Sequence, residues 1–262
     1  MAADPYAAPR SHVADVPSVS DEGQFVPEGR TVPVGNGWGW IRDGWSLFTK
    51  APGPWVLIVI VFLAITIVLS LIPVLGSLAV TVLGPVFSGG VMLGCRDLDR
   101  GEALTVGHLF AGFRDKGGAL ALIGVFGLVG LILAVLVSVL VAGTGFGTAS
   151  MFLGAPPDEN MAVAATGIIL SVLIMLALLL PVYMAMWFAP ALVALRDLTA
   201  GEALKRSFGG ALKNILPFLV YGLVLVPLAI VASLPLALGW LVLAPVLMAS
   251  LYTGYRDIYF AR

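Results

Sequence analysis

Cys95 is the chain's single cysteine, and His12 and His108 are its two histidines. One thiol forms no internal disulfide, and so few soft or imidazole ligands make no zinc-type cluster. Cys95 therefore reads as a packing residue near a helix end. Charge is scarce too: Asp, Glu, Lys and Arg make up 11% of the residues, against about 25% in soluble domains, which excludes an ordinary water-soluble globule. No ionisable residue falls in the central part of any long apolar run. A proton relay, a membrane-depth metal and a paired-aspartate protease site therefore have no residues to run on. The first 36 residues carry no apolar core of a secretory signal, so no cleaved leader is expected.

What the chain does have is apolar length. Hydrophobic residues make up 60% of its 262 positions and the mean hydropathy is +1.03, the composition of an integral membrane protein. Six runs approach or exceed the roughly 20 residues that a helix needs to cross about 30 Å of hydrocarbon: 54–75, 76–95, 118–142, 162–195, 215–233 and 235–255. The first pair and the last pair are joined by only a few residues, which demands tight antiparallel hairpins. The fourth run is overlong and contains Pro181 and Pro190, which predict a kink or a broken helix there. Residues 1–36 are rich in Ala, Pro, Ser and acidic residues without period and are expected to be a disordered tail before a membrane domain over 37–262.

Basic residues sit in four stretches: before the first run, between the second and third, between the fourth and fifth, and after the sixth. The one substantial loop on the other side, 143–161, carries Asp158 and Glu159 but no Lys or Arg. By the positive-inside rule both termini are expected in the cytoplasm of a bacterial inner membrane.

The chain also repeats itself. RDLDRGEAL at 96–104 returns as RDLTAGEAL at 196–204, and LGPVFSGGVMLGCRDL at 83–98 is echoed by LAPVLMASLYTGYRDI at 243–258. Three parallel hairpin repeats follow, about 37–97, 98–197 and 198–262. Each opens with an amphipathic helix predicted to lie in the cytoplasm-side interface. The predicted apolar stripes are Trp38, Ile41, Trp45 and Phe48; Val106, Leu109, Phe110 and Phe113; and Leu204, Phe208, Leu212 and Ile215.

The most specific signal is the Arg–Asp pair closing each repeat: Arg96 and Asp97, Arg196 and Asp197, Arg256 and Asp257. Glu102 and Glu202 follow the first two, after turns expected at Gly101 and Gly201. One reading has the arginines snorkelling to anionic headgroups while the aspartates cap locally; the other closes the pairs into a ring that holds the repeats together. Gly90, Gly94, Gly124, Gly127 and Gly130 offer close helix contact. Pro85 and Pro245 occupy matching places, and with Pro181 and Pro190 they allow either plain packing or discontinuous helices around a transport site. A cavity lined by Ser88, Tyr183 and Tyr252 would favour transport. His108 has no patterned nucleophile or acid partner, so a headgroup contact is expected of it.

The segments GWGWIRDGWSLFTKAPGPW, LIPVLGSLAVTVLGPVFSGGVMLGCRDLDRGEAL and VGHLFAGFRD resemble a family of uncharacterised bacterial inner-membrane proteins with six predicted spans. GEALKRSFGGALKNILPFLVYGL is similar to the membrane domain that some bacteria fuse to glycerophosphodiester phosphodiesterases, although no phosphodiesterase domain is present. The resemblance implies an all-α, six-span inner-membrane protein and transfers no active site. The expected role is non-enzymatic: organising lipid or partner proteins, without cofactor, metal or nucleic acid. The alternative is a transporter or channel for a small apolar or amphiphilic solute.

Overall fold

A computed structural model of the chain describes residues 23–114, 116–153 and 157–261, with the side chains of 143–164 outside that description. The chain opens with the two-residue strand β1 (Gln24–Phe25), followed by helices α1 (Asn36–Lys50), α2 (Pro52–Ser70) and α3 (Leu75–Asp99). Then come α4 (His108–Ala111), α5 (Gly117–Leu153), α6 (Pro157–Trp187) and α7 (Ala189–Arg196). The last group is α8 (Ala200–Lys213), α9 (Ile215–Ser233), α10 (Trp240–Tyr259) and β2 (Phe260–Ala261). β1 and β2 pair antiparallel, so the two ends of the described chain are joined.

Among the described residues, five helical stretches are long and apolar enough to cross a membrane: α2, α3, the first 26 residues of α5, the run from Ala165 through α7 to Arg196, and α9. The run expected at 235–255 is α10, which begins later, after a turn, and whose second half brings Ser250, Thr253, Arg256 and Asp257 into the helix. Those residues lower its average apolarity. Nevertheless α10 runs back along α9. The Trp240 indole donates to Ser233 Oγ at 3.0 Å near the turn, and the Tyr221 hydroxyl meets Ser250 Oγ at 2.9 Å, about three turns deeper.

Three expectations are corrected. The outer loop predicted over 143–161 is mostly helix, because α5 continues to Leu153 and α6 restarts at Pro157; a proline in the first turn costs that helix no hydrogen bond. The expectation of disorder over 1–36 fails for its described part, 23–36. Residues 1–22 lie outside the described part, but from Gly23 onward the chain is tied down: Val26 N–H donates to Tyr259 O and Arg30 N–H to Ile258 O, each at 2.8 Å. Asn214 fixes the same segment, accepting from Val32 N–H at 2.9 Å and donating to Arg30 O at 2.9 Å. Finally, the second turn after an Arg–Asp pair is misplaced. Gly101 does turn the chain at φ +85°, but Gly201 is helical, and the left-handed residue is Asp197 itself at φ 56°.

The faces of the short helices also differ from the predicted stripes. In α1 the buried residues are Gly37, Trp40, Ile41, Gly44, Leu47 and Phe48, while Trp38 and Trp45 are half exposed. In α4 Leu109 is buried, but Phe110 and Phe113 are exposed. Helix α8 buries Ala200, Ala203, Ser207, Gly210 and Ala211 and leaves Leu212 exposed, as is Ile215 just beyond it. Small residues on the inward faces let backbones approach closely; they share those faces with Trp40, Ile41, Leu47, Phe48 and Leu109, while Trp38, Trp45, Phe110, Phe113 and Leu212 point away.

Candidate functional site

The buried core gathers where the Arg–Asp pairs lie, and there the small-residue faces set the geometry. A Cβ on Gly112, which follows α4, would strike Val86 O and lie 3.0 Å from Gly90 N of α3. A Cβ on Gly44 of α1 would lie 2.7 Å from Val246 O and 2.8 Å from Ser250 N of α10. Val86 and Gly90 occupy the same repeat register as Val246 and Ser250, so two crossings of the bundle are built alike. Helix α8 makes the third: the Ser207 hydroxyl accepts from Phe188 N–H at 2.9 Å and donates to Met184 O at 2.9 Å. It is inserted into the backbone ladder where α6 ends and α7 begins. Pro190 in the first turn of α7 belongs to this break, while Pro181, Pro85 and Pro245 all lie inside continuous helices.

The aspartates follow the same register. Four residues before Gly44, the Trp40 indole donates to Asp257 Oδ2 at 3.0 Å. Four residues before Gly112, His108 Nε2 lies 3.2 Å from Asp97 Oδ2. The Thr105 amide donates to His108 Nδ1 at 3.0 Å, and Thr105 O lies 3.1 Å from the same nitrogen. Four residues before Ser207 stands the fully buried Ala203, which has no polar group to offer. Asp197 accordingly turns outward and pairs with Lys116 Nζ at 2.6 Å, its side chain 76% exposed.

Asp257 is the most heavily used carboxylate. Besides Trp40 it accepts from Arg30 Nη2 at 2.8 Å and Asn36 Nδ2 at 2.7 Å, and Arg30 Nε–H also donates to its backbone carbonyl at 2.7 Å. Arg256 of α10 pairs with Asp99 of α3, which also accepts from the Tyr252 hydroxyl at 3.3 Å. Arg96 folds onto its neighbour Asp97 at 3.1 Å. Arg196 instead lies over two rings, 4.8 Å from the Phe25 centroid and 4.6 Å from that of Phe260, a cation–π seat. Thus Arg256 and Arg30 join separate parts of the chain, whereas Arg96 stays local and Arg196 stacks on the terminal strands. Glu202 caps α8 with Thr199, its amide donating to Thr199 Oγ1 at 3.4 Å. Glu102 is exposed, with its amide donating to Asp97 O at 2.8 Å.

The candidate packing glycines all meet a neighbouring element. Gly90 faces the α4 backbone, Gly94 faces Leu104 and His108, and Gly124 faces the Val82 backbone. Gly127 and Gly130 take up Met186 and Val182 of α6. Cys95 is fully buried in α3. Tyr183 and Tyr252 are parted between two cavities. Tyr252 lines a polar one of about 570 Å³ and Tyr183 a separate one of about 390 Å³ beside Trp187 and Tyr221, and Ser88 lines neither.

Sequence reasoning missed Arg30, Asn36, Trp40, Asp99 and Ser207. A faint signal for part of this set exists: among the chain's small–aromatic dipeptides, which also include Gly37-Trp38 and Gly239-Trp240, three lie at the crossings, Gly44-Trp45, Gly112-Phe113 and Ser207-Phe208. In each, the small residue makes the crossing.

Compared with known proteins, the chain matches no family model and no solved structure. It is similar to a "Probable inner membrane protein" of Burkholderia thailandensis, with 32% identity over 211 residues that cover 79% of this chain and 78% of that protein. That similarity supports residence in the inner membrane and adds nothing to the likeness to the phosphodiesterase-fused domain.

Proposed function

Because the chain belongs to the same family as this Burkholderia inner-membrane protein, we propose that it is a non-enzymatic accessory protein that organises phospholipid around its cytoplasmic end. In this reading it crosses the membrane six times as three hairpins, with α10 as the sixth crossing and both termini in the cytoplasm. Helices α1, α4 and α8 lie at the level of the headgroups.

The observation that carries it is the arrangement around the Arg–Asp end. The short helices bury small residues and turn Trp38, Trp45, Phe110, Phe113 and Leu212 outward. Lys50, Arg114, Lys205 and Lys213 lie on or beside these helices in the sequence. Aromatic and aliphatic side chains beside cations suit the boundary between acyl chains and anionic headgroups. The charged pairs Arg30–Asp257 and Arg256–Asp99 meanwhile tie the chain ends and α3 together, which supports a fixed platform.

The test is extraction into native-lipid particles, with the lipids compared to those of the bulk membrane. Enrichment of anionic phospholipid, reduced when Arg114 and Lys205 are replaced by Gln, supports the role. A lipid profile identical to bulk removes it.

A further inference from the structure

Helix α1 divides two cavities of opposite character. On one flank is the polar cavity of about 570 Å³, into which Arg42, Ser46 and Lys50 face from α1 and Thr253 and Arg256 from α10. On the other is an apolar groove of about 510 Å³, walled by Trp38 and Trp45 and by Leu228, Val231, Pro235 and Val242 of the α9–α10 hairpin. Both volumes fall within the roughly 300–1,000 Å³ usual for small-molecule sites. Arg42 lines both.

The charge balance decides what the polar side takes. Asp257 is occupied by Arg30, Asn36 and Trp40, and Asp99 by Arg256 and Tyr252. Arg42 spends Nε–H on Asp43 at 3.1 Å, with its side chain 68% exposed, and keeps its other guanidinium N–H groups for a further acceptor. Arg42 and Lys50 against Asp43 leave one positive charge. Spacing of four residues sets Arg42, Ser46 and Lys50 as neighbours along one side of the helix. That combination suits a singly charged phosphodiester, with the guanidinium as its main partner. Beside it, in a protein of the inner membrane, runs a groove with almost no polar lining that begins at two tryptophans.

We propose that α1 seats one anionic phospholipid, its phosphodiester held by Arg42, Ser46 and Lys50 and an acyl chain lying in the groove between Trp38, Trp45 and the α9–α10 hairpin. This rests on the lipid-organising role and narrows it to a discrete site. Lysine and arginine elsewhere at this end act on the surrounding lipid collectively, whereas this site retains one molecule.

Native mass spectrometry of the detergent-purified full chain, titrated with phosphatidylglycerol, tests it. One lipid is expected to stay bound per protein. The double variant R42Q/K50Q should bind about tenfold more weakly, the loss of roughly one charge-assisted contact, while R42K/K50R should retain much of the binding. V242W, which fills the groove without touching a charge, should weaken binding comparably. Diacylglycerol of the same chains should compete at least about tenfold less well, and millimolar inorganic phosphate should leave the lipid in place. Unchanged retention by R42Q/K50Q with an unaltered melting temperature overturns the proposal. So does equal competition by diacylglycerol, or displacement by free phosphate. Bulk enrichment of anionic lipid in native particles without one-to-one retention defeats this site alone, and loss of both defeats the broader role as well.

Discussion

Trp55, Ile58, Leu109, Leu120 and Phe188 at the Arg–Asp end are 0–1% exposed, whereas Leu71, Val74, Leu75, Leu234 and Leu236 at the opposite end are 68–92% exposed. One chain thus carries a packed core and a bare apolar surface, with Trp55 and Leu71 standing at the two ends of α2. In water the second would be intolerable. In a bilayer it is ordinary, since lipid tails are as apolar as leucine and nothing drives those side chains together. The first end must therefore hold the protein by other means: glycine crossings, buried aromatics, and carboxylates saturated with donors.

The sharpest way to break this comparison is a bulky residue at a glycine of each kind. Gly112→Leu drives a side chain into the Val86 carbonyl and should cost about 3 kcal/mol or more. Gly167→Leu has nothing within 4 Å of its Cβ and should melt as the wild type does. Thermal unfolding in detergent, followed by fluorescence, measures both, and equal losses would deny that the ends are built differently.

Next in size is a charge on the bare surface. Leu223 of α9 is 73% exposed, so in a water-soluble protein Leu223→Arg would be nearly silent. Facing hydrocarbon, it should cost about 3 kcal/mol of apparent insertion free energy, read as the inserted fraction in a glycosylation-reporter assay. Full insertion would mean that the exposed face does not meet lipid.

The Arg–Asp motif itself supplies a third contrast. Asp257 is buried and accepts from three side chains, so Asp257→Ala strands those donors and should lose about 2–3 kcal/mol. Asp197 has the same sequence context but is 76% exposed, with a single lysine partner. Asp197→Ala should stay within about 0.5 kcal/mol of wild type. Comparable losses in the same melting assay would restore the view of three equivalent pairs.

That inequality marks how far the sequence could be read. Apolar run length located the helices, and the Arg–Asp endings located where they stop, because both follow from keeping charge out of hydrocarbon. The inward faces of α1, α4 and α8 were harder to read. In water the bulky apolar stripe faces the core; here Gly44, Gly112 and Ser207 make the closest approaches and share the inward faces with Trp40, Leu47 and Leu109, while Trp45 and Phe113 turn away. The order in 23–35 was illegible for another reason. Its hydrogen bonds reach Asn214, Ile258 and Tyr259, more than 180 residues away, and no local composition reports such partners. The continuation of α5 and α6 into the expected loop had a visible cue in Pro157-Asp158-Glu159, a favourable helix start. The phospholipid seat was half legible, in Arg42 and Lys50 on one side of a tryptophan-bearing helix, but its groove needs α9 and α10 in place.

The smallest loss expected from breaking a buried contact concerns Ser207. In an unbroken helix Phe188 N–H would bond Met184 O directly; here the Ser207 hydroxyl stands between them, taking one bond and giving the other. Ser207→Ala removes both. The two backbone groups are correctly spaced to find each other again, so the loss should be modest. Closure, however, has to overcome Pro190, whose ring opposes the carbonyl of Met186 four residues earlier and keeps the turn open. About 1 kcal/mol should therefore be lost in Ser207→Ala alone, and most of it should return in the double variant S207A/P190A, where the helix is free to straighten. A double-mutant cycle on melting measures the coupling. Strict additivity would mean that the hydroxyl does not hold the break, and that the third crossing owes nothing to the place where α6 gives way to α7.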